Sequence, residues 1–161
     1  MSVILTVFHV VCGMAGVGLG AMVLFGLFNG KVLDKFTVLF LQLSLAASIA
    51  GLLFQLHPLM PAQKVSMLSV YVSGVAIIAW RKFKLTGVWS AIFAFTATIV
   101  LCLDVLMIVI QAFKWIVRVS AYEASQSTSP LLVTQLLVMG LFVVLGVWAA
   151  RKFSESFSHT V

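Results

Sequence analysis

Polar positions in this chain come in short groups, and the stretches between them are long and apolar. Asn29-Gly30-Lys31 closes a first apolar run over residues 3–28. His57-Pro58 closes a second over 36–56, Arg81-Lys82 a third over 62–80, and Lys114 a fourth over 87–113. Ser129-Pro130 opens a fifth over 131–150, and Arg151-Lys152 closes it. A helix needs about 20 apolar residues to cross the hydrocarbon core, so each run is long enough to span a bilayer. Pro130 fits the first turn of a helix, where its missing N–H is harmless. The one sizeable polar connection, "RVSAYEASQSTSP" at 118–130, reads as a loop. Trp115-Ile116-Val117 just before it reads as a short interfacial turn, since Trp favours that depth. The pattern predicts an all-α integral membrane protein: an antiparallel bundle of five transmembrane helices in a single domain over 1–161. The count falls to four if the third run, with Gln63 and Lys64 near its start, does not span.

Within the runs, small and polar residues recur at helical spacing. His9, Gly13, Gly16 and Gly20 are spaced four, three and four and share one face of the first helix. Gly16 and Gly20 form a G-x-x-x-G, which lets helix backbones approach closely in lipid. Ser44, Ser48, Gly51 and Gln55 repeat that spacing in the second helix. Ser66, Ser69, Ser73 and Ala76 line a face of the third. Ser90, Ala97, Asp104 and Gln111 in the fourth are each seven apart and drift slowly around the helix. Turning these faces towards one another gives a bundle with a modestly polar interior. Gly13, Gly16, Gly20, Ser44, Ser48 and Gly51 are then the packing seam, and Asp104, Gln111 and Gln55 a buried polar site.

Asp104 is the chemically conspicuous member. It stands in "LCLDVLMIVIQAF", nine residues before Phe113, or roughly 14 Å from the end of its run at 1.5 Å per residue. A charge near the bilayer midplane costs at least about 2.5–3.5 kcal/mol. A carboxyl so placed protonates, pairs, or faces water or a bound ligand. One reading is an acid hydrogen-bonded to Ser or Gln on a neighbouring helix; the other is a functional group.

Composition agrees with the pattern. Of 161 residues, 63% are hydrophobic and 9% charged, against about 45–50% and about 25% in soluble domains. Too few charges exist to cover a water-facing surface. The formal net charge of +6 comes from basic residues at the ends of apolar runs, which is the pattern of membrane anchors rather than a nucleic-acid footprint. With the N-terminus outside, inside segments hold Lys31, Lys35, Arg81, Lys82, Lys84, Arg151 and Lys152, and outside segments hold Lys64, Lys114 and Arg118. Seven against three favours N-terminus outside and C-terminus cytoplasmic. The N-terminus has no basic n-region, so the first run reads as a retained helix rather than a cleaved leader. Cys12 and Cys102 both fall in apolar runs and imply no disulfide framework.

No H-E-x-x-H, C-x-x-C, G-x-S-x-G or phosphate-cradling loop occurs in the sequence. A second carboxylate for paired-acid chemistry is also missing from the runs, which argues against a hydrolytic enzyme.

The first half, over roughly residues 5–85, resembles an uncharacterised bacterial multi-pass membrane family, a domain of unknown function. The resemblance lies in "HVVCGMAGVGLG", with His9, Gly13 and Gly20, and in "LSVYVSGVAIIAWRK", with Tyr71, Gly74 and Arg81. Where that family has a His-Arg pair opening its second helix, this chain has Asp34-Lys35, so no role of the pair carries over. The resemblance implies a bacterial inner membrane and no particular activity.

Three functions stay open. A structural or accessory subunit of a membrane assembly, or a homo-oligomer, asks least of the sequence: its polar stripes are packing seams. A redox module would hold haem b, or a metal, between His9 and His57. His9 lies nineteen residues before Phe28 and His57 twenty-one after Phe36, which puts both roughly 28–32 Å from the inner ends of their helices. A small transporter or proton path would use Asp104.

Overall fold

The computed structural model describes residues 3–53, 61–120 and 128–158. The regular structure is helical throughout: α1 (Val3–Phe28), α2 (Asp34–Leu53), α3 (Pro61–Arg81), α4 (Val88–Ser120) and α5 (Thr128–Ser158). All five are long and apolar enough to cross a membrane.

Local chemistry sets the helix ends. Gly30 adopts φ +64° just past α1, a conformation that costs a residue without Cβ nothing. With Gly30 so turned, Lys31 N–H donates to Gly26 O at 2.9 Å and Gly30 N–H to Leu27 O at 3.1 Å. These are the two bonds of a Schellman motif, and they satisfy carbonyls that the helix end would leave orphaned. Asp34 opens α2, where a negative charge meets the positive end of the helix dipole. Pro61 opens α3. Between α3 and α4 the chain turns through Lys84 (φ 48°), Leu85 (φ 59°) and Gly87 (φ 54°), and the Phe83 and Trp89 rings stack across the turn at 3.7 Å.

Four helices close a ring: α1 packs on α2, α2 on α3, α3 on α4, and α4 back on α1. Among the described residues α1 and α3 do not touch, so they stand at opposite corners. α5 lies outside the ring against α4 and, less extensively, α1. It can lie close because Gly146 is small: a Cβ there would come within 3.1 Å of the Phe95 ring. Little else of α5 is buried, chiefly Ala149 and Phe153, while Leu137 and Val144 are among its many exposed apolar side chains. In a bilayer that face meets hydrocarbon at no desolvation cost.

The two ends of the bundle differ. At the end carrying the α1–α2 and α3–α4 turns, Val23, Leu27, Phe40, Phe93, Leu101 and Phe153 form a closed apolar core. The α5 carboxyl end joins them there: Phe28 meets Trp148 at 4.7 Å, and a Cβ on Gly30 would lie 2.6 Å from the Ser156 side chain. Lys31, Lys35, Arg81, Lys82, Lys84, Arg151 and Lys152 all belong to this end, and the described ones are exposed. It is called the basic end below.

Four expectations from the sequence are corrected. α5 runs on to Ser158 rather than ending at 150, so Arg151-Lys152 does not close it. α2 begins at Asp34 rather than 36; its expected end at 56 lies outside the described residues. Trp115-Ile116-Val117 is helix, not an interfacial turn, because α4 runs on to Ser120. No Gly or Pro interrupts Val88–Ser120, so a change in polarity at Lys114 does not stop the helix. At 33 residues α4 spans about 50 Å, more than the roughly 30 Å hydrocarbon core, so it tilts or projects. The expected loop at 118–130 is thereby shortened at both ends, with residues 118–120 in α4 and 128–130 in α5; residues 121–127 lie outside the described set.

Candidate functional site

The third turn of α2 brings Ser44 against α4. Its hydroxyl donates to Oδ2 of Asp104, and both residues are buried. Gly16 on α1 makes room for the pair: a Cβ there would lie 3.4 Å from Asp104 Oδ2 and 3.4 Å from Ser44 Oγ. Three helices therefore meet at one carboxyl. One helical turn towards the basic end, Gly20 is tighter still. Its Cβ would come within 2.7 Å of Leu101 Cδ1 and Phe40 Cε2. The Phe40–Leu101 layer closes the bundle beneath Asp104.

On the other side of Asp104 the bundle is not closed. A cavity of about 90 Å³ lies between α1 and α3, the two corners that do not touch. A volume of that order holds several waters or a small organic group. α2 and α3 supply its polar wall. Ser48 Oγ donates to Ser69 Oγ at 2.9 Å, and Ser66 lies one turn further along; all three serines are buried. Asp104 forms the floor. Met14 on α1 and Leu103 and Met107 on α4 supply an apolar wall. The exposed lining residues, Val10, Met14, Ile108 and Gln111, mark the mouth.

Asp104 has no counter-charge: no basic side chain among the described residues pairs with it, and its partner is the Ser44 hydroxyl. Two hydroxyls, Thr37 Oγ1 and Ser73 Oγ, are buried without a partner. Ser73 is one turn from Ser69 on the same face of α3. Among the described residues no three of His, Cys, Asp and Glu come together as metal ligands. Cys12 and Cys102 are both buried as free thiols.

The residues singled out in the sequence therefore fall into different places. Gly16, Gly20, Ser44, Ser48 and Asp104 meet in and just beneath the cavity floor. Gly13 is not a close-packing position: a Cβ there meets nothing within 4 Å, and the residue lines the cavity instead. Gln111 is exposed rather than buried: it stays on the face of Asp104, turned by only about 20°, but lies two turns further out, at the open mouth of the cavity. Gly51 is half-buried. His9 stands on α1 one turn beyond Gly13, with its side chain outside the described set, and Gln55 and His57 lie outside it altogether. Met14, Leu103 and Met107 were not anticipated as site residues. Their signal was adjacency at one and three positions to Gly13 and Asp104, which apolar side chains in a membrane helix do not advertise. No family model matches the chain, and neither a curated protein nor a solved structure matches it.

Proposed function

We propose that this chain is a small membrane carrier that takes up a solute or a proton at Asp104. The observation that carries the reading is a buried carboxyl without a counter-charge at the floor of a cavity, one helical turn above the Phe40–Leu101 layer. Intramembrane acids are costly and mark ion or proton sites by default. A cavity above such a layer suits binding followed by rearrangement rather than an open pore. The reading as a structural or accessory subunit accounts for the Gly16 and Gly20 contacts but gives the cavity no role. The haem reading rests on His9 and His57, for which no described geometry speaks.

The basic-residue bias, seven against three, supports a cytoplasmic basic end and a cavity facing the outside. The test is proton flux in liposomes holding the purified protein, driven by a potassium diffusion potential and read with an entrapped pH dye. Wild type carries flux above protein-free vesicles, and Asp104→Asn abolishes it. Flux unchanged in Asp104→Asn removes the reading.

A further inference from the structure

The cavity's own chemistry narrows what it takes, given the reading of it as a solute site. We infer that its ligand is a primary alkylammonium: a protonated amine on a short hydrocarbon chain.

The argument starts from what the walls can satisfy. A bare sodium or calcium ion needs a cage of oxygens to replace its hydration shell, six or more for calcium. Here the described lining offers one carboxyl, three serines and, out at the exposed mouth, the Gln111 amide, and the rest is hydrocarbon and thioether. An anion would meet Asp104 unfavourably. A neutral lipophile would leave the carboxyl with Ser44 as its donor and add none, whereas a hydrogen-bonding ligand adds one. A protonated primary amine meets each condition. One N–H reaches Asp104 Oδ1 in a charge-assisted bond, the other oxygen already being held by Ser44. Another N–H reaches Ser48 Oγ, whose own proton is committed to Ser69 and whose lone pairs remain. The chain then lies along Met14, Leu103 and Met107 towards the mouth, where flexible, polarizable thioethers adapt to its shape. A quaternary ammonium would carry the charge but no donor, so it ranks below the primary amine.

The probe is n-hexylammonium, titrated calorimetrically into the full chain in a neutral maltoside, with hexyltrimethylammonium, hexanol, hexanoate and sodium chloride as comparisons. Hexylammonium is expected to bind saturably at one site per chain, with hexyltrimethylammonium weaker and the other three showing no saturable heat. Asp104→Asn should weaken hexylammonium about ten- to a hundredfold, the range for losing a hydrogen bond to a charged group. Gly13→Leu keeps the acid and fills the cavity from a position with open space around its Cβ, so it should fold and lose binding. Circular dichroism and gel filtration establish folding for both variants. Hexanol binding as well as hexylammonium, tighter binding of the quaternary ion, a saturable sodium site, or full binding in folded Gly13→Leu each overturns the inference. Proton flux without hexylammonium binding removes this inference and leaves the carrier reading. Hexylammonium binding at Asp104 with neither proton flux nor hexylammonium uptake into the liposomes removes the carrier reading and leaves the site.

Discussion

Ser44 and Asp104, sixty residues apart in the chain, share a hydrogen bond in the interior of the bundle, and Gly16 of a third helix is packed over it. The bond ties α2 to α4 across the ring, where the two helices otherwise barely meet. Its partners are therefore coupled in stability. Asp104→Asn keeps an acceptor for the Ser44 hydroxyl and should fold normally. Asp104→Leu leaves that hydroxyl unpaired in a dry site and should lower stability by about 1–3 kcal/mol. Thermal unfolding in detergent checks the pair; a Leu variant more stable than wild type would mean the bond holds nothing.

The glycines of α1 make a second, differential prediction. Gly20→Ala forces a methyl to within 2.7 Å of the buried Leu101 and Phe40 side chains, an overpacking that costs about 1–3 kcal/mol. Gly13→Ala meets open space and keeps the helix-propensity gain of about 1 kcal/mol over glycine. The first variant should melt below wild type and the second at or above it. Equal effects at both positions would contradict the placement of the cavity beside Gly13.

How far such features were legible is clearest at these same residues. Period-3.6 spacing placed Gly16, Ser44, Ser48 and Asp104 each on a small or polar face of its own helix. That arithmetic concerns one helix at a time. It carries no information on relative height, so it did not pair Ser44 rather than Ser48 with Asp104. Nor did it separate Gly20, under the Phe40 ring, from Gly13, beside empty space. The cavity arises because α1 and α3 do not touch, which is a property of four helices together. Gln111 differs for a related reason: it keeps the cavity face of Asp104, but the spacing along one helix does not show that the bundle is open at its height. The reach of α4 beyond Lys114 was missed because a polarity boundary was read as a helix boundary, although no breaker residue stands there.

The α3–α4 turn predicts a gain in stability. Lys84 is exposed and held at φ 48°, where an L side chain is strained by roughly 1–2 kcal/mol and glycine is not. Lys84→Gly should raise the melting point in detergent, the net effect being of order 0.5–1 kcal/mol after the added unfolded-state freedom. Leu85, at φ 59° but buried, should not respond the same way: Leu85→Gly relieves strain but forfeits about 1.5–3 kcal/mol of side-chain burial. A Lys84→Gly variant that melts below wild type would show that the turn is not strained at that position.

Topology makes the last prediction. The contact of Gly30 with Ser156, and of Phe28 with Trp148, places the α1–α2 turn beside the carboxyl end of α5. Both then lie on one side of the membrane, together with the α3–α4 turn that holds Thr86. α4 ends and α5 begins on the other side, since α4 starts at the basic end, α5 finishes there and each helix is long enough to cross. Single cysteines introduced at Thr86, Ser125 and Ser158, in a background with Cys12 and Cys102 replaced by Ala, separate the two sides with a membrane-impermeant maleimide on intact cells. Under the proposed orientation only the Ser125→Cys protein labels before lysis, and all three label after it. Labelling of Thr86→Cys and Ser158→Cys alone would keep the five-span fold and reverse the orientation, turning the Asp104 cavity to the cytoplasm. Labelling of Ser125→Cys together with Ser158→Cys would contradict the contact between Gly30 and Ser156, and with it the position of α5 in the bundle.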